Sequence, residues 1–165
     1  MLKNLRRVFV RSNRDLSVIV FSLFFSWLLA FPFEGKILYG LLEYHRLTPQ
    51  SYIFAAIAAH FLGLLLGGFY VRLMVTAKRL ILFTIIFCAF SSVFFFLPPS
   101  LLWMVILILA SLLAGGCVAA WGFYFKNCTP PNQRIKTIAD GLIFSNLFMI
   151  LLNILAIHIS PHAGL

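Results

Sequence analysis

Long apolar runs dominate the chain and alternate with short polar connections. A helix needs about 20 mostly apolar residues to cross the hydrocarbon core of a bilayer. Five runs qualify, and the predicted spans cover residues 16–41, 52–72, 79–97, 101–125 and 138–160. The backbone must satisfy its own hydrogen bonds in lipid, and no strand-like alternation of about 10 residues is present, so helices are expected. The pattern predicts an all-α, polytopic transmembrane helix bundle over residues 16–165, preceded by a basic cytoplasmic tail over residues 1–15.

Prolines and polar residues mark the connections between the predicted spans. Pro98 and Pro99 separate spans three and four, Pro130 and Pro131 separate spans four and five, and Pro49 precedes span two. Proline pairs are strong turn signals. Because these connections are short, consecutive spans are expected to lie antiparallel and adjacent.

The composition supports a lipid-facing surface. Of the residues, 62% are hydrophobic and 10% are charged, and the mean hydropathy is +1.03. Soluble domains have about 45–50% apolar and about 25% charged residues. The three cysteines are far apart in sequence and form no CxxC or Cys/His cluster, so they predict neither a disulfide nor a metal site, and no cofactor is expected.

Basic residues follow the loops that a multi-pass topology would place in the cytoplasm. The net charge is +9, and most basic residues fall in the tail and in the second-to-third and fourth-to-fifth connections. The positive-inside rule then predicts a cell (inner or plasma) membrane protein with a cytoplasmic N-terminus and an outside C-terminus. The charge therefore favours anionic lipid headgroups as partners over nucleic acid. The tail is either an interfacial amphipathic helix or a solvated segment.

A few polar residues lie within or at the ends of the apolar runs. His60 is near the middle of span two, Asn146 and Asn153 share one face of span five, and Glu34 lies beside Lys36 at the outer end of span one. Ionisable groups in a membrane are costly and are functional hypotheses by default. Each has a second interpretation, because His60 and the asparagines can hold helices together and Glu34 can form an interfacial ion pair. No catalytic motif appears, so an enzyme is not expected.

Small residues recur at every fourth position in two spans. The two stripes are Ala59, Gly63 and Gly67 in span two, and Ser111, Gly115 and Ala119 in span four. Such stripes let helix backbones approach closely. They serve either static packing or a bundle whose helices slide.

Three parts of the chain combine into a recognisable layout. They are the basic tail with its long first span and the outer loop 43–48, then Gly67-Gly68-Phe69-Tyr70-Val71-Arg72 with Lys78-Arg79, and Thr129-Pro130-Pro131-Asn132-Gln133-Arg134 before span five. This layout resembles the N-terminal half of a major facilitator superfamily transporter. Val71 stands where the family motif has an aspartate. The resemblance covers nearly the whole chain, with five spans against the six of a family half.

The resemblance implies a secondary carrier that moves a small solute by alternating access. It would assign His60, Asn146, Asn153 and Glu34 to the cavity, and Arg72, Lys78, Arg79 and Arg134 to a cytoplasmic gate. A missing C-terminal half or a partner membrane chain would complete such a carrier. The alternative is a non-transporting sensor or anchor module, similar to the facilitator-like membrane part of some helix-turn-helix regulators. A small protein that assists the assembly of a partner is a third possibility.

Overall fold

The computed structural model describes the backbone of residues 2–33 and 36–165, and the side chains from Arg14 onward within those ranges. The helices are α1 (Leu2–Leu28), α2 (Lys36–Tyr44), α3 (Pro49–Tyr70), α4 (Met74–Val93), α5 (Leu101–Cys128) and α6 (Arg134–His158). Five stretches are long and apolar enough to cross a membrane: Arg14–Tyr44, Pro49–Tyr70, Met74–Phe96, Leu101–Cys128 and Pro131–His158. The prediction of an all-α chain with five such helices is confirmed, and it indicates a multi-pass membrane protein.

Helix ends follow the local chemistry of the connections. Pro49 occupies the first turn of α3, where its missing N–H costs nothing. Between α2 and α3 the Leu47 N–H donates to the Leu42 carbonyl at 2.8 Å, while Arg46 has a φ of 56°. This is the Schellman geometry that usually places glycine in the left-handed position. The arginine accepts a conformation that costs an L-residue about 1–2 kcal/mol, so the reversal into α3 is fixed by the backbone bonds.

Helix packing does not follow chain order. The largest interface joins α3 to α5, the next joins α1 to α6, and the third joins α4 to α5. The expectation that consecutive spans are adjacent is therefore wrong for two of the four connections, because α3 hardly touches α4 and α5 hardly touches α6, whereas α4 packs on α5 as expected. A short loop fixes only the helix ends that it joins. The close approach that small residues allow between α3 and α5 offers better packing than the neighbour in sequence.

Span one and α5 form the centre of the bundle. In the most apolar window of each, 56% and 50% of the residues are buried, against 22% for α3 and 17% for α6. Ring contacts connect the two central elements at one end, where Phe31 packs edge-on against Phe95 at 4.8 Å and Phe95 lies 5.1 Å from Trp103. The helices α3, α4 and α6 thus present most of their apolar surface outward.

Two predicted features fall wholly or partly outside the described residues. Glu34 is not described, and neither are the side chains of residues 2–13. The backbone of the tail is helical and continuous with span one, because α1 begins at Leu2.

Candidate functional site

The crossing of α3 and α5 is the closest helix contact of the bundle. A Cβ built on Gly63 would overlap the Leu112 carbonyl oxygen, and one on Gly115 would overlap the carbonyl oxygen of His60. A Cβ on Gly67 would lie 2.7 Å from the Cα of Gly116. The structure thus brings together the two small-residue stripes, with Ala59 and Ser111 also buried and Ala119 partly buried. Backbone meets backbone here, so each glycine is required by space.

His60 lies at the edge of this crossing. Its ring is half-buried and meets Phe33 edge-on, with ring centroids 4.8 Å apart. The imidazole also reaches the backbone of Ser111. The His60 Nδ1 and the Ser111 Oγ are both buried, and neither has a hydrogen-bond partner within the described residues. A polar pair therefore sits between α3, α5 and span one, where a water or a solute group could complete its hydrogen bonds.

A π-helical turn interrupts the regular α-helix of span one next to His60. The turn covers Leu29–Phe33 and contains Pro32. Proline removes a backbone donor and displaces the carbonyl one turn earlier. Irregular turns in membrane helices are tolerated where protein covers the freed backbone groups, and they often line solute sites. Ala30, Phe31 and Pro32 are buried, so this turn is covered by protein.

Asn153 of α6 contacts the backbone of α2. Its side-chain oxygen accepts a hydrogen bond from the Lys36 backbone N–H at 3.2 Å. This bond ties α6 to the outer part of span one. Asn146 differs, because its side chain is exposed and donates to the Leu142 carbonyl of its own helix at 2.8 Å. The shared face of the two asparagines thus contains one side chain that joins two helices and one outward group.

An open groove of about 650 Å³ lies along α2. One wall is the face of α2 that carries Lys36, Tyr39, Gly40 and Glu43, and the other is formed by Ala156, Ile157 and Pro161, with Phe33 also lining the space. Gly40 lies against Pro161, and a Cβ there would be 2.9 Å from the proline ring. The sequence indicated charges at this end of the bundle but did not predict the groove. Its second wall, formed by the end of α6 and by Pro161 after it, is positioned by tertiary contacts.

The four basic residues predicted as a gate have separate environments. Arg134 donates to the carbonyls of Lys126 at 2.9 Å and Thr129 at 3.3 Å, so it satisfies the C-terminal end of α5. Lys78 lies 5.8 Å from the centre of the Tyr124 ring. Arg72 and Arg79 are exposed, and Arg72, just after the end of α3, donates to the Phe69 carbonyl of that helix. No contact joins the four into a single cluster within the described part of the chain.

A contact between span one and α6 was not predicted from the sequence. The Arg14 guanidinium forms an ion pair with Asp140 and donates to the Thr137 hydroxyl at 3.1 Å. Near this pair, the Ser22 hydroxyl lies 3.3 Å from the Gly141 carbonyl, and a Cβ on Gly141 would be 2.9 Å from the Phe21 ring. Asp140 is one of four acidic residues in an apolar chain, and that scarcity was the available signal. We call Arg14, Thr137 and Asp140 the basal clamp.

Neither a metal site nor a similarity to a known protein indicates a function. No group of three or more His, Cys, Asp or Glu side chains that could hold a metal is found in the residues that the structure describes. No protein-family model matches the chain, and comparisons with curated proteins and with solved structures return no match. The site must be interpreted from its own geometry.

Proposed function

We propose that the chain is the membrane bundle of a secondary carrier with facilitator-like organisation, which moves a small solute by alternating access together with a second bundle. The observation that carries the proposal is the pairing of helices. In an inverted repeat of three spans, span one corresponds to span four and span two to span five. The contact of span two with span four then has its symmetry mate in the contact of span five with span one. These are the two largest interfaces of the bundle.

The π-helical turn in span one supports the same proposal. Carrier sites lie near the membrane midplane and are commonly built where helices depart from regular geometry. Here the turn at Leu29–Phe33 brings Phe33 against His60, and the His60 Nδ1 and Ser111 Oγ, which have no partner among the described residues, lie beside it. This cluster is where we place the solute path, with His60 as its polar contact. Asn153 serves it indirectly by holding the backbone of Lys36.

The proposal also names what completes the carrier. One bundle of five spans cannot enclose a two-lobed cavity, so a second bundle, on the same polypeptide or on another, is required. The outward apolar surfaces of α3 and α6 are available for it, because most of their residues are exposed.

Side-specific labelling tests alternating access without knowledge of the solute. His60→Cys, in a background with the three native cysteines replaced by alanine, is treated in sealed vesicles with a membrane-impermeant maleimide from either side. A carrier predicts labelling from both sides, because the His60 position is exposed to each in turn. Phe61→Cys is the matched control, since Phe61 is 61% exposed on the outer surface of α3 and faces lipid in this proposal. Labelling of His60→Cys from neither side, or at the rate of Phe61→Cys, would refute the carrier.

A static sensor or anchor module is the second candidate, and the basic residues favour it. Arg72, Lys78 and Arg79 form no ion pair with a described acidic residue, so the charge latch of a cycling facilitator has no counterpart among them. The basal clamp also ties span one to α6. A static module predicts labelling of His60→Cys from one side only, unchanged by conditions that alter the membrane potential.

A further inference from the structure

We propose that the groove along α2 binds a zwitterionic molecule, with its anionic group at Lys36 and its ammonium group at Glu43. This inference rests on the proposed function in that it names the class of solute. Binding is nevertheless measured separately from movement across the membrane.

The two charged side chains of α2 line one groove and do not pair with each other. Lys36, Tyr39 and Glu43 are at positions i, i+3 and i+7 of the helix, so they follow one face. With a rise of about 1.5 Å per residue, the Lys36 and Glu43 backbones are about 10 Å apart along the axis. Neither side chain forms an ion pair with another described residue, and both are exposed. The groove therefore offers a positive end, a phenol and a negative end.

Lys36 lies inside an apolar stretch that is long enough to cross a membrane. The stretch is Arg14–Tyr44, with two helical turns between Lys36 and its end. Charged side chains within such segments are rare, and they mark solute and ion pathways when they occur. An anion bound at Lys36 would offset part of the cost of the ammonium in this position.

The position of Glu43 opposes helix stability. It lies in the last turn of α2, which has no basic residue. The macrodipole favours a cation at a helix C-terminus. Folding alone therefore does not explain the carboxylate there. Binding of an ammonium group does, because the helix dipole and the Glu43 charge both attract it.

The dimensions suit a small molecule. Ligand sites commonly enclose about 300–1,000 Å³, and this groove measures about 650 Å³. The opposite wall is apolar or weakly polar, with Ala156, Ile157 and Pro161, so the groove would contact the hydrocarbon between the two charged groups of the ligand. Two sources provide such a molecule: a dissolved amino acid or peptide-like solute, and a zwitterionic lipid headgroup.

Binding of three related probes to the purified full chain tests the proposal. 6-Aminohexanoate carries both charges, hexanoate only the anion and hexylammonium only the cation. Equilibrium dialysis in lipid-free detergent should show saturable binding of 6-aminohexanoate, weakened about tenfold or more by Lys36→Gln and by Glu43→Gln. Hexanoate binding should depend on Lys36 alone and hexylammonium binding on Glu43 alone. Lys136→Gln, which removes an exposed lysine at the opposite end of the chain's spans, should bind as the unaltered protein does.

A variant with the two charges exchanged distinguishes loss of binding from misfolding. Lys36→Glu combined with Glu43→Lys keeps the net charge and places a cation in the last turn of α2, where the macrodipole favours it, so this variant should fold at least as well. It should bind 6-aminohexanoate in the reversed orientation, with hexanoate now dependent on position 43.

Two lipid compositions distinguish the sources. In nanodiscs, phosphatidylethanolamine should displace 6-aminohexanoate if a lipid headgroup is the occupant, whereas a lipid with an uncharged sugar headgroup should not. Displacement assigns the groove to lipid, and retained binding assigns it to a dissolved solute. The proposal is overturned if neither 6-aminohexanoate nor phosphatidylethanolamine binds with a dependence on Lys36 and Glu43. Binding with one-sided labelling of His60→Cys would refute the carrier and leave the binding site standing.

Discussion

Replacing Gly67 by alanine should separate α3 from α5. The added Cβ would lie 2.7 Å from the Cα of Gly116 and 3.1 Å from the Cβ of Ala119. Carbon atoms in contact prefer a separation of about 3.5–4.0 Å. One helix must therefore move by roughly 1 Å at the crossing, and the contacts around it lengthen together.

The expected loss of stability follows from that displacement. Extra methylene groups in a packed core typically cost about 1–3 kcal/mol. Neither obstacle can move as the end of a flexible side chain would, because one is backbone and the other is a Cβ. We therefore expect Gly67→Ala near the upper part of this range, and Gly63→Ala higher still, because its Cβ would overlap a backbone carbonyl oxygen.

The adjacent residue supplies a matched control. A Cβ on Gly68 would meet nothing within 4 Å. Gly68→Ala should therefore leave stability unchanged or raise it by up to about 1 kcal/mol, since alanine is the better helix former. Unfolding by increasing mole fraction of a denaturing detergent, followed by tryptophan fluorescence, measures all three variants against the unaltered protein. If Gly67→Ala and Gly68→Ala unfold at the same mole fraction, the inferred close crossing of α3 and α5 is wrong.

Three further outcomes are expected. Arg14→Gln and Asp140→Asn should each destabilise the bundle, and the double variant should lose less than the sum, with a coupling of about 1–3 kcal/mol in a double-mutant cycle by the same unfolding assay; simple additivity would dissolve the basal clamp. Asn153→Ala should cost about 1 kcal/mol by removing the hydrogen bond to the Lys36 N–H, whereas Asn153→Asp should retain most of it, so equal losses would argue against this bond. Reporter fusions after Pro99 should report outside and after Pro131 inside, and the opposite pattern would reverse the proposed orientation.

The five membrane-spanning helices were predictable because apolar length decides them locally. Residues 101–125 were predicted as one span, and α5 occupies Leu101–Cys128. The extra turn at the C-terminal end is held by Arg134, whose hydrogen bonds come from beyond the loop and leave no mark in the apolar pattern. The π-helical turn of span one was harder to predict, because Pro32 alone indicates a distortion of the helix but not its type.

The pairing of helices was not predictable from loop lengths. Short connections suggested neighbours in sequence, yet packing depends on which faces fit, and the stripe containing Gly63 in α3 meets the one containing Gly115 in α5, with α4 between them in the sequence. The clearest chemistry of the basal clamp was missed for a related reason. Arg14 contributed to the positive-inside pattern, which explains a basic residue without requiring an acidic partner.

The basal clamp has a consequence for biosynthesis. Its two charged partners are 126 positions apart in the chain. At about 5–20 residues per second, synthesis needs roughly 6–25 s to deliver Asp140 after Arg14 has left the ribosome. Throughout that interval Arg14 has only its neighbour Asp15 as an acidic partner, so a nascent chain halted before the last helix would present the guanidinium without the Asp140 carboxylate to any quality-control machinery that detects charges in the membrane.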